Sequence, residues 1–138
     1  MPPTLEDAIF LAAQAHQGQT DKGGAPYILH PLRVMLRMGT HEARMVAVLH
    51  DVVEDTAYTL DYLDRAGYPP SVLVALACLT HRKGEWYQSY IDNIKPNHIA
   101  RKVKIADLED NLDMSRIPNP TPEDRDRMAK YRVALHRL

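Results

Sequence analysis

The apolar run Met45-Val46-Ala47-Val48-Leu49 ends abruptly in His50-Asp51-Val52-Val53-Glu54-Asp55. That junction limits what the chain can fold into. Five consecutive apolar residues call for burial, and burial carries the polar group that follows them to the edge of the core. Charge placed there without partners costs several kcal/mol. The segment therefore needs an interior pocket in which imidazoles and carboxylates face one another. The adjacent His50 and Asp51 suggest two ligands for one metal, with Glu54 and Asp55, one helical turn later, as carboxylates beside it. By spacing alone a second reading stays open, in which Asp55-Thr56 merely ends a helix.

The rest of the chain is punctuated as helices. Thr4 can cap a first helix, with Leu5, Ile9, Ala12, Ala13 and His16 on one face. The loop from Gly18 to Pro26 breaks it, and a second helix follows with Pro31 at an early position and Gly39 at its end. Leu32, Met35, Leu36 and Met38 supply its apolar side. A third helix is expected from about His41 to Asp55, and Thr59 can cap a fourth over Leu60–Ala66. Ser71 to His81 reads as a buried fifth, and a short segment runs from Trp86 to Asn93. Asn97 opens a long helix to about Ser115, and Thr121-Pro122-Glu123-Asp124 starts the last one. No alternating strand pattern occurs. The expectation is an all-α helical bundle of about seven or eight helices, in a single domain covering 1–138.

Composition excludes several classes. The 138 residues are 45% hydrophobic and 25% charged, as in an ordinary globular domain. A net charge of −1 gives no basic field, so no nucleic-acid partner is expected. The single cysteine, Cys78, rules out an internal disulfide and a cysteine-rich zinc site, and reads as a small core residue. No apolar run approaches the ~18 residues of a membrane span, so the expectation is a soluble, cytoplasmic chain without a membrane partner. A homo-oligomer is left open.

His30, His50, Asp51 and Asp107 each lie beside apolar helical sequence, so each can face one interior pocket. Two imidazoles and two carboxylates form a mixed nitrogen–oxygen set that suits Mn²⁺, Fe²⁺ or Zn²⁺. Taken singly, His30 also fits a capping residue and Asp107 a salt-bridge partner. Glu54 and Asp55 could orient or deprotonate a water at such a site. Cations stand where an anionic substrate could meet them: Lys22 in the glycine-containing loop, Lys83 after the fifth helix, and Lys102 and Lys104 before Asp107. Asn111 lies one turn after Asp107. Arg127 and Tyr131, four residues apart, share a face that could fork onto a phosphate and stack on a base.

These segments resemble a known family. His16-Gln-Gly-Gln19, Gly24-Ala-Pro-Tyr-Ile28, His30-Pro31, Leu49 to Thr56, Leu79-Thr80 with Lys83, and Val103 to Asn111 are similar to the HD-domain metal-dependent phosphohydrolases. Within them they resemble the hydrolase domain of RelA/SpoT proteins and the small alarmone hydrolases. The resemblance covers roughly residues 5–131. It implies a helical HD fold, with His30, His50, Asp51 and Asp107 on one metal, usually Mn²⁺. It implies Glu54 and Asp55 as the groups that activate water. The implied substrate is a nucleotide, ppGpp or pppGpp, which loses its 3′-pyrophosphate. By position, Lys22, Tyr27, Lys83, Asn111, Arg127 and Tyr131 are the implied substrate contacts. Synthesis of the alarmone is not expected.

One position departs from the pattern. Family members usually carry an arginine that stacks on the guanine base where this chain has Asp21, and a carboxylate offers no cationic plane. The alternatives are another phosphorylated nucleotide, such as an adenosine alarmone or a dinucleotide phosphate, and a non-catalytic nucleotide-binding module.

Overall fold

Threonine and asparagine caps set most of the helix starts. In the computed structural model, which describes residues 1–138, Thr4, Thr40, Thr59, Asn97 and Thr121 each accept a backbone N–H from the first turn that follows. The helices are α1 (Leu5–Ala15), α2 (Leu29–Leu36), α3 (His41–Leu49), α4 (Val52–Asp55) and α5 (Leu60–Arg65), then α6 (Pro70–Leu79), α7 (Tyr87–Ile94), α8 (His98–Asn111) and α9 (Pro122–Arg137). A short 3-10 turn, Met114–Arg116, lies between α8 and α9. There is no strand; one isolated antiparallel bridge joins Thr20 to Pro26 across the first loop. The all-helical expectation holds.

Two expected helices are shorter than their patterns. The segment His41–Asp55 breaks at His50-Asp51. The His50 N–H turns back to the Ala47 carbonyl at 3.4 Å, one residue short of the α-helical partner, and the His50 ring takes the same carbonyl. The long helix stops at Asn111 rather than near Ser115. There the Asp113 carboxylate accepts the Ser115 N–H at 3.0 Å and starts the 3-10 turn instead.

α3 is the centre of the molecule and touches α1, α2, α6 and α8. Met45 through Leu49 are all buried. Burying Val46, Val48 and Leu49 contributes about 1.5–3 kcal/mol each, enough to carry a polar pair at the end of the helix into the interior. Ala8 and Ala12 form the buried stripe of α1, in line with buried His16, while Ala13 is exposed. On α2 the buried positions are His30, Pro31, Val34 and Met35, and Met38 is buried just beyond its end. Leu36, expected on that side, is 76% exposed, because it lies about 200° round the helix from Val34. Cys78 is a free thiol, partly buried against the core. No helix is long and apolar enough to cross a membrane.

Candidate metal centre

Three parts of the core bring four donor groups to one point: α2 supplies His30, the α3–α4 turn supplies His50 and Asp51, and α8 supplies Asp107. His30 Nε2 lies 2.8 Å from Asp107 Oδ1 and 3.8 Å from Asp51 Oδ2. His50 Nε2 lies 3.1 Å from Asp51 Oδ2 and 3.4 Å from Asp107 Oδ1. Ligands held at about 2.1 Å from one ion stand roughly 3.0–3.5 Å from each other; the two His50 edges match that spacing, and the 2.8 and 3.8 Å edges of His30 lie a few tenths of an ångström to either side of it.

Tautomers sharpen the point. His50 Nδ1 lies 2.5 Å from the Ala47 carbonyl, which can only accept, so Nδ1 carries the proton. Nε2 of a neutral His50 is then a bare lone pair, buried and without a hydrogen-bond partner. His30 Nδ1 lies 2.6 Å from Asp110 Oδ2 and likewise donates. A neutral His30 therefore aims a lone pair at the Asp107 carboxylate. Two electron pairs at 2.8 Å repel unless a positive charge, proton or metal, sits between them. The same demand appears as acid–base behaviour. Although burial opposes it, Asp51 and Asp107 hold the His50 imidazolium well above the ordinary histidine range. Against the same opposition, Asp107 and Asp110 raise His30.

The surrounding charges are unevenly matched. Asp107 receives Lys104 Nζ at 2.9 Å on Oδ2 and Asn111 Nδ2 at 3.1 Å on Oδ1. Asp110 is gripped by Arg33 at 2.8 and 3.0 Å and by Arg116. Asp51 has only the Tyr27 hydroxyl and the imidazoles. Burial and Asp51 raise the Tyr27 phenol so far that it stays a donor. Glu54 and Asp55 gather with Asp51, their oxygens within 4.8 Å of one another. Glu54 Oε1 accepts the His81 N–H at 2.6 Å. Burial, Asp55 and Asp51 raise the Glu54 carboxyl, and burial and Asp51 raise Asp55, which makes both better proton acceptors. None of Asp51, Glu54 and Asp55 forms an ion pair with a lysine or arginine.

Beside this cluster opens a cavity of about 360 Å³, a size suited to a small ligand. Lys22, Tyr27, Asn111, Arg127 and Tyr131 all line it. Tyr27 and Asn111 also touch Asp51 and Asp107, so cavity and cluster share a wall. Lys83 lies on the exposed turn after α6 and does not line the cavity. Lys102 is exposed, and Lys104 is largely buried against Asp107 rather than free for a substrate.

Sequence reasoning missed three residues that hold this architecture. Asp110 orients His30; its signal was its place one turn after Asp107 on α8. Asp124 is buried at the start of α9, where it accepts the Thr121 N–H at 2.9 Å and pairs with Lys22 at 3.3 Å and with Arg127. Its capping role was legible, its grip on two cavity cations was not. Arg116 lines the cavity from the 3-10 turn, and the Gly23 backbone lies so close to its carbonyl that a side chain there has no room.

No family model matches the chain. It is 31% identical, over 92% of its length, to a guanosine-3′,5′-bis(diphosphate) 3′-pyrophosphohydrolase of Haemophilus influenzae, of which it covers 20%. It is 40% identical over 44% of its length to the bifunctional (p)ppGpp synthase/hydrolase SpoT of Escherichia coli, of which it covers 9%. The chain thus spans a fifth or less of the length of these relatives. Its fold is similar to a solved structure described as a metazoan ortholog of SpoT that hydrolyzes ppGpp and plays a role in starvation responses. The match has a TM-score of 0.79 and 25% identity, covering 98% of this chain and 85% of that one. With the HD cluster in place on this fold, the chain belongs to the RelA/SpoT-type family of HD hydrolase domains.

Proposed function

We propose that the chain is an Mn²⁺-dependent phosphohydrolase that removes the 3′-pyrophosphate from ppGpp or pppGpp, giving GDP or GTP and pyrophosphate. One observation carries this reading. Two histidines with fixed tautomers aim lone pairs at buried carboxylates, at the shared wall of a cation-lined cavity. The ppGpp hydrolase names of the relatives support the substrate class.

His30, His50, Asp51 and Asp107 would hold the cation, and the nitrogen–oxygen mixture suits Mn²⁺, with Fe²⁺ or Zn²⁺ as substitutes. When bound, the cation supplies polarisation of a phosphoryl oxygen and lowers the pKa of water. Asp110 fixes the His30 ring, as an outer carboxylate does at many metal sites. Glu54 and Asp55, both raised above ordinary carboxyl values, take the proton from the attacking water. Lys22 and Arg127 meet the phosphates and offset the charge that grows on them. Tyr27 and Asn111 keep Asp51 and Asp107 oriented while facing the substrate.

A screen of nucleotides with the Mn²⁺-loaded protein, following both pyrophosphate and phosphate, tests this. The expected result is release of pyrophosphate from ppGpp. A metal-loaded protein that binds ppGpp and releases nothing overturns the enzyme reading.

A further inference from the structure

The cavity is lined by two carboxylates, Asp21 and Asp113, which phosphate chemistry does not use. Asp21 lines it together with Lys22 and Tyr27. Asp21 Oδ1 accepts the N–H groups of Gly23 and Ala25, each at 2.9 Å, which turns the loop and fixes the carboxylate. Oδ2 takes no hydrogen bond or ion pair from the protein. The other cavity carboxylate, Asp113, is already spent on Ser115 and Arg116. The loop has little freedom to swing Asp21 away, because Gly23 is wedged against the Arg116 carbonyl.

A fixed anion repels phosphate. With the phosphates drawn to Lys22, Arg127 and the metal cluster, Asp21 is left for the uncharged end of a nucleotide, the base. A carboxylate oxygen accepts only, so it selects a base edge made of donors. Guanine presents adjacent N1–H and 2-amino donors. Hypoxanthine keeps N1–H alone, and adenine sets an N1 acceptor beside its amino group, which a carboxylate repels. We infer that Asp21 is the specificity-determining residue of this cavity and reads the donor edge of guanine through Oδ2. The inference rests on the nucleotide reading above.

Asp21→Asn tests it, because the amide oxygen can still accept from Gly23 and Ala25 while an NH₂ replaces Oδ2. Guanosine, inosine, xanthosine and adenosine 3′,5′-bis(diphosphates) are compared on the Mn²⁺-loaded wild type and variant. The wild type should show the lowest KM for the guanosine compound. The variant should raise that KM by about 10- to 100-fold, the scale of a hydrogen bond to a charged group, with kcat within about twofold. It should lower the KM for the xanthosine compound, whose 2-oxo group accepts from the new amide. Equal KM values for guanosine and adenosine compounds on the wild type overturn the inference. So does a variant whose KM rises uniformly for all four bases, which assigns Asp21 to loop folding only. Calorimetric binding of GDP, IDP, XDP and ADP to the same proteins separates the two levels. GDP-selective binding lost in the variant, without any turnover, keeps the base-reading role and removes the enzyme reading. Binding without base preference removes the role of Asp21 whatever the turnover.

Discussion

His30 and Asp107 come from helices that meet in the core, and His50 and Asp51 from the turn between two such helices, whereas Lys22, Arg116 and Arg127 come from a loop, a 3-10 turn and the first half of α9. Around the donors, position is fixed by burial: the α3 side chains behind them are sealed from solvent, and Asp110 and Lys104 pin the groups from outside. Around the cavity, position is fixed by hydrogen bonds and ion pairs, chiefly at Asp21 and Asp124. The contrast teaches a division of labour. The donor cluster is set into packed helices, while the cavity is walled by segments that can vary without disturbing the core.

The largest effect should come from breaking the core side. Asp51→Ala removes a donor from the cluster and should abolish both metal retention and turnover, checked by metal content and pyrophosphate release. Retained activity with retained metal would show that Asp51 is not a ligand. Next, Glu54→Gln should keep the metal and slow turnover by roughly 10²–10⁴-fold, the usual scale for removing a general base. An unchanged rate moves the base elsewhere. Asp110→Asn leaves all four donors in place and should weaken metal affinity by about 10–100-fold; a titration with chelator measures it, and unaltered affinity would detach Asp110 from the centre.

The cavity side should respond differently. Arg127→Ala should raise KM by about tenfold, as loss of a charge-assisted contact does, with metal content unchanged. A loss of metal there would blur the contrast between the two regions. The smallest effect concerns Asp124. The Thr121 N–H, with Lys22 as a further partner, lowers its carboxyl from 3.8 to about 2. A lowered value means that the carboxylate stabilises the fold above pH 3.8 and that this contribution is lost as pH falls toward 2. Chemical denaturation of wild type and Asp124→Asn should therefore differ at neutral pH and converge across that window. A difference that persists at the acid end would mean that the charge of Asp124 is not what matters.

Much of this was legible in the sequence. The caps Thr4, Thr59, Asn97 and Thr121 name their helices because a side-chain oxygen must answer the first N–H groups, whatever the tertiary fold. His50 and Asp51 stood out because polar residues at the end of an apolar run are costly to bury, whereas His30 and Asp107, taken singly, read equally as a capping residue and a salt-bridge partner. The break at His50 was not, since periodicity does not see a ring competing for the Ala47 carbonyl. Nor was the burial of Lys104: a lysine three residues before Asp107 reads equally as a solvated cation and as its partner. Leu36 shows the limit of composition, because an apolar residue on the wrong side of a short helix stays in water.

The ion pair between Lys22 and Asp124 has a consequence for the order in which the protein is assembled. It joins positions about a hundred residues apart, a contact whose formation must await the intervening chain. All four donor residues, from His30 to Asp107, leave the ribosome before Asp124 does. The growing polypeptide thus carries His30, His50, Asp51 and Asp107 before the α9 side of the cavity wall, with Arg127, Met128 and Tyr131, has been made. The cavity between the first loop and α9 is closed only after the core cluster has been made.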